Sequence, residues 1–289
     1  MNKTRLAAAF ALAALSGSLA AKTIVTVNGT AVDSKAIDAQ VKALQSHNRQ
    51  IKDSPALRQD LTNRYIVGTV VAQEARRLKL HESADYKNIL NQSLAAAKQQ
   101  GADKKSGFQT EWAAYETDLL NQAYIAHIIR SNPVKEADVK SAYADFAKFY
   151  QGSQEVQLGA IITRKREDAQ KAVDELKAKK DFKTVAAKYT IDPAGKKAGG
   201  IPSDYVRLKD MEQAAPALYS AVKNLPEGGY TAPLQDNGIF GVFYVNDKRA
   251  VQLPGYDAAK NGLRQELQAG RIDRAIQSLL QKAVIRPAK

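Results

Sequence analysis

Very few side chains in this sequence have the type and spacing that covalent, metal or acid–base catalysis requires. The 289 residues contain no cysteine, which excludes thiolate chemistry, disulfides and a cysteine-bound zinc ion. The three histidines, His47, His81 and His127, are widely separated, and no second histidine or carboxylate stands at metal spacing beside His127. We therefore expect no metal and no cofactor, and we predict that His127 is packed among its apolar neighbours.

Residues 155 to 249 contain hydroxyl and carboxyl groups that could contact a bound carbonyl. Tyr205, Tyr219 and Tyr244 could each donate a hydrogen bond, although a tyrosine with a packed ring and a solvated tip is commoner. Asp204 is the acid that shortly follows a pair of glycines, and a polar role for it is a second hypothesis. None of these spacings specifies a reaction by itself.

The first 20 residues predict a secretory signal peptide. They have a basic start, an apolar core from Leu6 to Leu15 and a small-x-small site ending at Ala20, after which we expect cleavage. A membrane anchor is the alternative, but the apolar core is about half as long as the ~20 residues that span a bilayer. The sequence therefore predicts an exported, soluble protein.

The chain from residue 21 to 150 is predicted to be a mostly helical domain. Alternating residues at Thr23–Val27 and the Asn28-Gly29 pair predict a short hairpin. Apolar residues then recur every three or four positions, which is the helical period. The predicted helices cover residues 34–46, 55–80, 82–100, 108–130 and 135–150.

Beyond residue 150 the pattern changes to strands that alternate with short helices. The apolar runs Val156–Thr163 and Ile239–Val245 predict strands, and residues 151–249 predict a compact α+β domain. Residues 250–289 predict a C-terminal helix with an apolar stripe that must pack on another element. We expect it to return to the N-terminal helices, so that the second domain is inserted in the first.

The order of these segments resembles the parvulin (PpiC-type) peptidyl-prolyl isomerase domain. The resemblance runs from Glu155–Thr163 through Asp181–Pro193 and Gly199-Gly200 to Leu225–Leu234 and Asn237–Val245. With the helical first domain and the returning helix, the whole chain resembles the periplasmic parvulin-type isomerases and foldases. The resemblance implies a periplasmic location and an α+β fold, with a four-stranded antiparallel sheet and flanking helices in the second domain.

The polar side chains that the resemblance implies for the site are missing. Similar domains place a histidine pair and an Asp or Cys beneath the substrate carbonyl. This sequence has Ala160, Ile201 and Phe240 at the positions that we align with them. The catalytic side chains are therefore unknown.

The apolar cup that holds the prolyl ring in similar domains is better preserved. The resemblance aligns Leu218 with a phenylalanine that contacts proline and places Met211 near a methionine, about three residues out of register. We predict a proline pocket made of Met211, Leu218, Tyr219 and Phe240. Core filling is the competing interpretation of the same residues.

Two main functions remain open at this stage. The resemblance implies an isomerase that acts on X-Pro bonds of unfolded chains, with turnover reduced by the missing polar groups. The alternative is a holdase that uses the isomerase fold as a scaffold, and a structural envelope protein is a third class. We expect no stable partner.

The strong positive charge of the chain does not by itself identify a binding partner. The formal net charge is +13, from 43 basic and 30 acidic residues. Export and the absence of aromatic residues among the lysines argue against nucleic acid. Peripheral contact with an anionic membrane surface and a plain solvated surface are both consistent with this charge.

Overall fold

The computed structural model describes residues 22–288 and divides them between two compact units. The first unit comprises the described chain up to Val134 and from Gln265 onward, and the second is Lys135–Arg264. The predicted signal peptide at residues 1–20 lies outside the described residues. Among the helices that the structure does describe, none combines the length and the apolar character that crossing a membrane would require.

The first unit contains the first four helices, the last part of the C-terminal helix and a small sheet. Strand β1 pairs antiparallel with β2 on one side and with the C-terminal strand on the other. The elements are β1 (Thr23–Val27), β2 (Thr30–Asp33), α1 (Ser34–His47), α2 (Pro55–Arg77), α3 (Ala84–Gln99) and α4 (Phe108–Ser131), with short 3-10 turns at Leu80–Glu82 and Ala102–Lys104.

The second unit contains the other sheet and most of the short helices. Its elements are α5 (Glu136–Tyr150), β3 (Gln154–Thr163), α6 (Arg166–Lys177), α7 (Phe182–Tyr189), α8 (Pro193–Lys197), β4 (Val206–Arg207), α9 (Leu208–Ala214), α10 (Pro216–Val222), β5 (Leu234–Asp236) and β6 (Ile239–Ala250). Helix α11 (Tyr256–Lys282) begins in the second unit and ends in the first, before β7 (Ile285–Pro287).

Local sequence signals explain where the helices of the first unit begin. Ser54 caps α2 by accepting a hydrogen bond from the backbone N–H of Leu57 at 3.2 Å. Pro55 occupies the first turn, where a backbone N–H would have no partner within the helix. At the β1–β2 turn, Asn28 and Gly29 have φ values of 50° and 84°. Those left-handed conformations suit an Asn-Gly hairpin.

The last part of α11 packs on the first unit through its apolar stripe. Ile276 and Leu279 contact a buried cluster that includes Leu120 and Tyr124 of α4. Leu280 follows on the same helix and packs against the cluster around β1. The apolar stripe of the C-terminal helix is thus covered by the N-terminal helices and by β1.

The sheet of the second unit has the order β4-β3-β6-β5 and is antiparallel throughout. Helices α6 and α7 cover one face with a cluster that includes Ile161, Val173 and Val185. Helices α9 and α10 pack on the other face around Val156 and Val245. The predicted α+β fold with a four-stranded antiparallel sheet and flanking helices is confirmed.

The boundaries of the second unit lie at Lys135 and Arg264, whereas the sequence predicted boundaries near residues 150 and 250. Helix α5 belongs to the second unit, where Tyr143 of α5 donates a hydrogen bond to the carbonyl of Pro254 at 3.0 Å. The Tyr150 hydroxyl donates to Asp210 of α9. Aromatic residues spaced for a helix do not show which domain the helix joins, so the sequence could not assign α5.

Candidate functional site

The candidate site lies on β3 and β6, the two long strands of the second unit. Ala160 of β3 lies directly opposite Phe243 of β6, and Leu158 lies opposite Val245. Side chains alternate between the faces of a strand, so these four residues point toward the same face. Leu158 and Val245 are buried there against α9 and α10, whereas Ala160 and Phe243 are half-buried.

Helix α10 brings two further half-buried residues to this face. Leu218 and Tyr219 pack against the same cluster as Phe243. Pro216 stands in the first turn of this short helix, where proline is tolerated. We call the residues Ala160, Leu218, Tyr219 and Phe243 the apolar site. Each of these residues is partly open to solvent.

The ring of Phe243 lies over a glycine of its own strand. A Cβ atom on Gly241 would lie 2.8 Å from Cε2 of Phe243 and 3.5 Å from Cδ1 of Ile162. Because carbon atoms do not approach so closely, the ring can keep this position only if residue 241 has no side chain. A larger residue at position 241 would therefore displace the ring of Phe243.

The structure does not bring Phe240 into the predicted proline pocket. Phe240 pairs with Thr163 and packs against the cluster formed with α6 and α7, on the opposite face of the sheet. A shift of three positions along a strand changes the face, so the residue that faces Ala160 is Phe243. The alternation of side chains along β6 could have revealed this in the sequence.

Two other predicted site residues are placed away from the surface of the apolar site. Met211 belongs to the buried cluster against which Leu218 and Phe243 pack, but it is only 4% exposed. It is therefore a core residue beneath the site and does not line its surface. Ile201 packs against the cluster of α6 and α7, and its Cγ1 lies 3.2 Å from the position of a Cβ on Gly159. Of the predicted pocket, Leu218 and Tyr219 remain at the surface beside Phe243.

The glycine pair before Ile201 allows a close approach to β3. Gly200 accepts a hydrogen bond from the backbone N–H of Ala160 at 2.8 Å. Its φ is 77°, and a Cβ at this position would lie 2.6 Å from Cβ of Ala186. Glycine alone combines that conformation with so little space.

Of the hydroxyl and carboxyl groups singled out in the sequence, that of Tyr205 forms a hydrogen bond within the fold. Tyr205 donates to Asp247, which lowers the pKa of that carboxyl and raises the pKa of the phenol. The ring of Tyr244 stacks on Phe182 with centroids 4.4 Å apart. The Tyr219 hydroxyl forms no hydrogen bond within residues 22–288, so it is free to donate to a ligand at the apolar site.

No metal-binding group was found in the described part of the chain, where no three histidine, aspartate or glutamate side chains converge. His127 is half-buried on α4 in the first unit, as are its neighbours Ile128 and Ile129. The apolar site of the second unit therefore contains no imidazole. Its only polar side-chain group is the phenol of Tyr219.

The fold and this site define the class of protein. Residues 134–261 match the family model of the PPIC-type PPIase domain. This part of the chain therefore matches the parvulin (PPIC-type) isomerase domain that its strand and glycine motifs predicted.

Relatives extend the similarity beyond that domain. A Bordetella pertussis protein named "Probable parvulin-type peptidyl-prolyl cis-trans isomerase" is 26% identical over 254 residues, which is 86% of each chain. A Clostridium botulinum protein named "Foldase protein PrsA" is 27% identical over 57% of this chain and 49% of its own length. The chain is thus similar to both isomerases and foldases.

A crystal structure of a peptidylprolyl isomerase (PrsA) from Bacillus cereus is also similar. It is 20% identical, covers 91% of this chain and 92% of its own, and superimposes with a TM-score of 0.39. A score of that size adds nothing to the fold described above.

Proposed function

We propose that the protein is an exported peptidyl-prolyl cis-trans isomerase with reduced turnover, which acts on proline-containing unfolded polypeptides in the periplasm. The observation that carries the proposal is the apolar site, where Ala160 faces Phe243 beside Leu218 and Tyr219 on the sheet of a PPIC-type domain. Similarity to a foldase supports unfolded chains as the substrate.

An apolar site can catalyse this reaction because no covalent bond is broken. The rotation barrier of ~18 to 20 kcal/mol comes from amide conjugation, which the twisted transition state has lost. A site that fits the twisted amide better than the planar one lowers that barrier. Leu218 and Phe243 hold the prolyl ring while the Tyr219 hydroxyl donates to the carbonyl that rotates.

The missing polar groups predict slow turnover. Removal of one preorganised hydrogen-bond donor from the active site of another enzyme costs about 2.7 to 4 kcal/mol, or about 100- to 1,000-fold in rate. The positions at Ala160 and Phe243 offer no such donor. This same absence favours a second candidate function, a holdase that binds prolyl segments without accelerating their isomerisation.

One experiment on the full chain separates the two functions. Cis–trans exchange of an Ala-Pro peptide is measured by NMR, beside suppression of aggregation of an unfolded outer-membrane protein. The isomerase proposal predicts faster exchange that is lost in Leu218→Asp and kept in Ile239→Asp, a control at a 41% exposed residue of β6. Unchanged exchange with strong suppression of aggregation would reject the isomerase in favour of the holdase.

Since Leu218 packs against a buried cluster, the variant requires a folding control. Circular dichroism and the midpoint of thermal unfolding must show that Leu218→Asp remains folded. If it unfolds, Leu218→Ala serves instead, because it removes only the apolar contact. Exchange that is unchanged in a folded Leu218→Ala variant would place catalysis elsewhere.

A further inference from the structure

A second site candidate lies in the first unit, between α1, α2 and α4. A cavity of about 250 Å³ opens there. Positions three and four residues apart on α2 and on α4 face it, as expected for one side of each helix. The lining residues are Gln40 and Leu44 of α1, Leu61, Arg64, Tyr65 and Gly68 of α2, and Ala114, Thr117, Asp118 and Asn121 of α4.

One wall of the cavity contains an unsatisfied hydrogen-bond acceptor. The side-chain oxygen Oδ1 of Asn121 is buried and has no hydrogen-bond partner among the described residues. A Cβ atom on Gly68 would lie 3.1 Å from Nδ2 of the same side chain, so glycine lets α2 approach it closely. A buried carbonyl oxygen without a donor is unfavourable, and a ligand N–H would satisfy it.

Two charged groups of opposite sign line the same cavity without a protein partner. Arg64 and Asp118 are exposed, and neither forms an ion pair or a hydrogen bond within residues 22–288. In contrast, Arg58 of the same helix pairs with Asp53 at 2.8 Å and Arg77 pairs with Glu74 at 2.7 Å. Arg64 is therefore available to an anionic group, and Asp118 to a group that donates hydrogen bonds.

The remaining surface of the cavity is apolar. Leu61 is buried, Leu44 and Tyr65 are half-buried, and all three line the space. Burial, together with the carboxylates of Asp33 and Asp118, raises the pKa of Tyr65, as expected for a half-buried phenol near acidic groups. An apolar ligand group would gain by contact with this surface.

We propose that this cavity binds an apolar α-amino-acid residue that bears a free carboxylate. The carboxylate contacts Arg64, whose guanidinium suits planar, two-pronged recognition. The backbone nitrogen donates to Oδ1 of Asn121 and to Asp118, while the side chain packs on Leu44 and Leu61. The chemistry is that of a polypeptide C-terminus or of a free amino acid.

Size and charge limit the ligand further. Pockets for drug-sized ligands have volumes of about 300 to 1,000 Å³, so a cavity of about 250 Å³ accepts one residue and not a longer folded segment. Asp118 repels simple anions such as phosphate, so binding requires an N–H donor beside the carboxylate. The proposal does not depend on the isomerase function, which concerns the second unit.

Calorimetric titration of the full chain tests this proposal. The probes are acetyl-Ala-Ala-Leu with a free carboxylate, the same peptide as its C-terminal amide, and free leucine. We expect the free carboxylate to bind at least about tenfold more tightly than the amide, in line with a charge-assisted hydrogen bond. If free leucine binds as tightly as the peptide, the proposal is supported with a free amino acid as the ligand. If leucine binds more weakly than the peptide, the proposal is supported with a polypeptide C-terminus as the ligand.

Variants connect the binding to the named residues. Arg64→Gln and Asn121→Ala should each weaken binding of the carboxylate peptide about tenfold or more, whereas Arg76→Gln, at an exposed position of the same helix, should not. Unfolding midpoints show which variants remain folded, and unchanged prolyl exchange separates this site from the isomerase. Equal binding of acid and amide, no binding of any probe, or equal effects of Arg64→Gln and Arg76→Gln would overturn the proposal.

Discussion

At the scale of single residues, the pair Ala160 and Phe243 determines what the second unit can do. The two positions face each other across the central strands and carry a methyl group and a phenyl ring. Neither can donate a hydrogen bond to a carbonyl, so the proposed isomerase must rely on shape, desolvation and the Tyr219 hydroxyl. Polar groups restored at these two positions should therefore increase the rate.

The double substitution Ala160→His with Phe243→His should raise kcat/KM for prolyl isomerisation about tenfold or more. An imidazole at each position supplies a donor where the carbonyl rotates, and such donors act strongly in a partly desolvated site. Coupled assays with a proline-containing peptide measure the change. Ala160→His with Phe240→His is the matched control, since Phe240 lies on the other face. Equal gains from both pairs would contradict the placement of the site.

Glu175 of α6 makes the second unit sensitive to acid. Its carboxylate accepts hydrogen bonds from Lys188 at 2.5 Å and Tyr189 at 2.9 Å, and these contacts lower its pKa to about 2. A carboxyl with a lowered pKa in the folded state stabilises the fold above its ordinary pKa of 4.5. That contribution is lost as the pH falls from about 4.5 to about 2.

The substitution Glu175→Gln should lower the unfolding temperature at pH 7 and have little effect near pH 2. Thermal unfolding followed by circular dichroism across this range tests the sign. Glu212→Gln, at an exposed glutamate of α9 outside any ion pair in residues 22–288, should have little effect at either pH. A destabilisation by Glu175→Gln that persists at pH 2 would show that packing, not charge, is responsible.

At the scale of elements, close contact between β3 and α7 depends on a glycine. A Cβ on Gly159 would lie 2.5 Å from Cε1 and 2.8 Å from Cζ of Phe182, whose ring is fixed by stacking on Tyr244. Gly159→Ala should therefore destabilise the fold by about 1 to 3 kcal/mol through overpacking. Denaturant unfolding measures this cost.

Gly262→Ala provides the control for that measurement. Gly262 lies in α11 with no atom within 4 Å of an added Cβ, so alanine there should be neutral or stabilising. A Gly159→Ala variant as stable as Gly262→Ala would contradict the tight packing of α7 on β3.

The sequence predicted the elements better than their grouping. Strands β3 and β6 were predicted correctly because they are apolar runs next to turn residues such as Asn237-Gly238. The sequence did not show which face of the sheet Phe240 occupies: it packs against α6 and α7, whereas Phe243, three positions further along the strand, lies opposite Ala160. The cavity beside Arg64 was not predicted, since it requires three helices that are distant in the sequence.

At the scale of the whole molecule, each unit carries its own candidate site. The second unit contains a PPIC-type domain with an apolar site, and the first contains a cavity lined by Arg64 and Asn121. A holdase and an isomerase differ in whether prolyl binding lowers the rotation barrier, not in whether the segment binds. The net charge of the chain is +13, and peripheral contact of its basic surface with an anionic membrane remains a prediction.

Intermolecular NMR contacts test most directly where the prolyl ring binds. The full chain is labelled with ¹³C at leucine methyls and phenylalanine rings, and an unlabelled Ala-Pro peptide is added. We predict nuclear Overhauser effects from the prolyl ring protons to Leu218 and Phe243, which lose their intensity in Leu218→Ala. Contacts to Phe240 instead, or to residues of the first unit alone, would contradict the account.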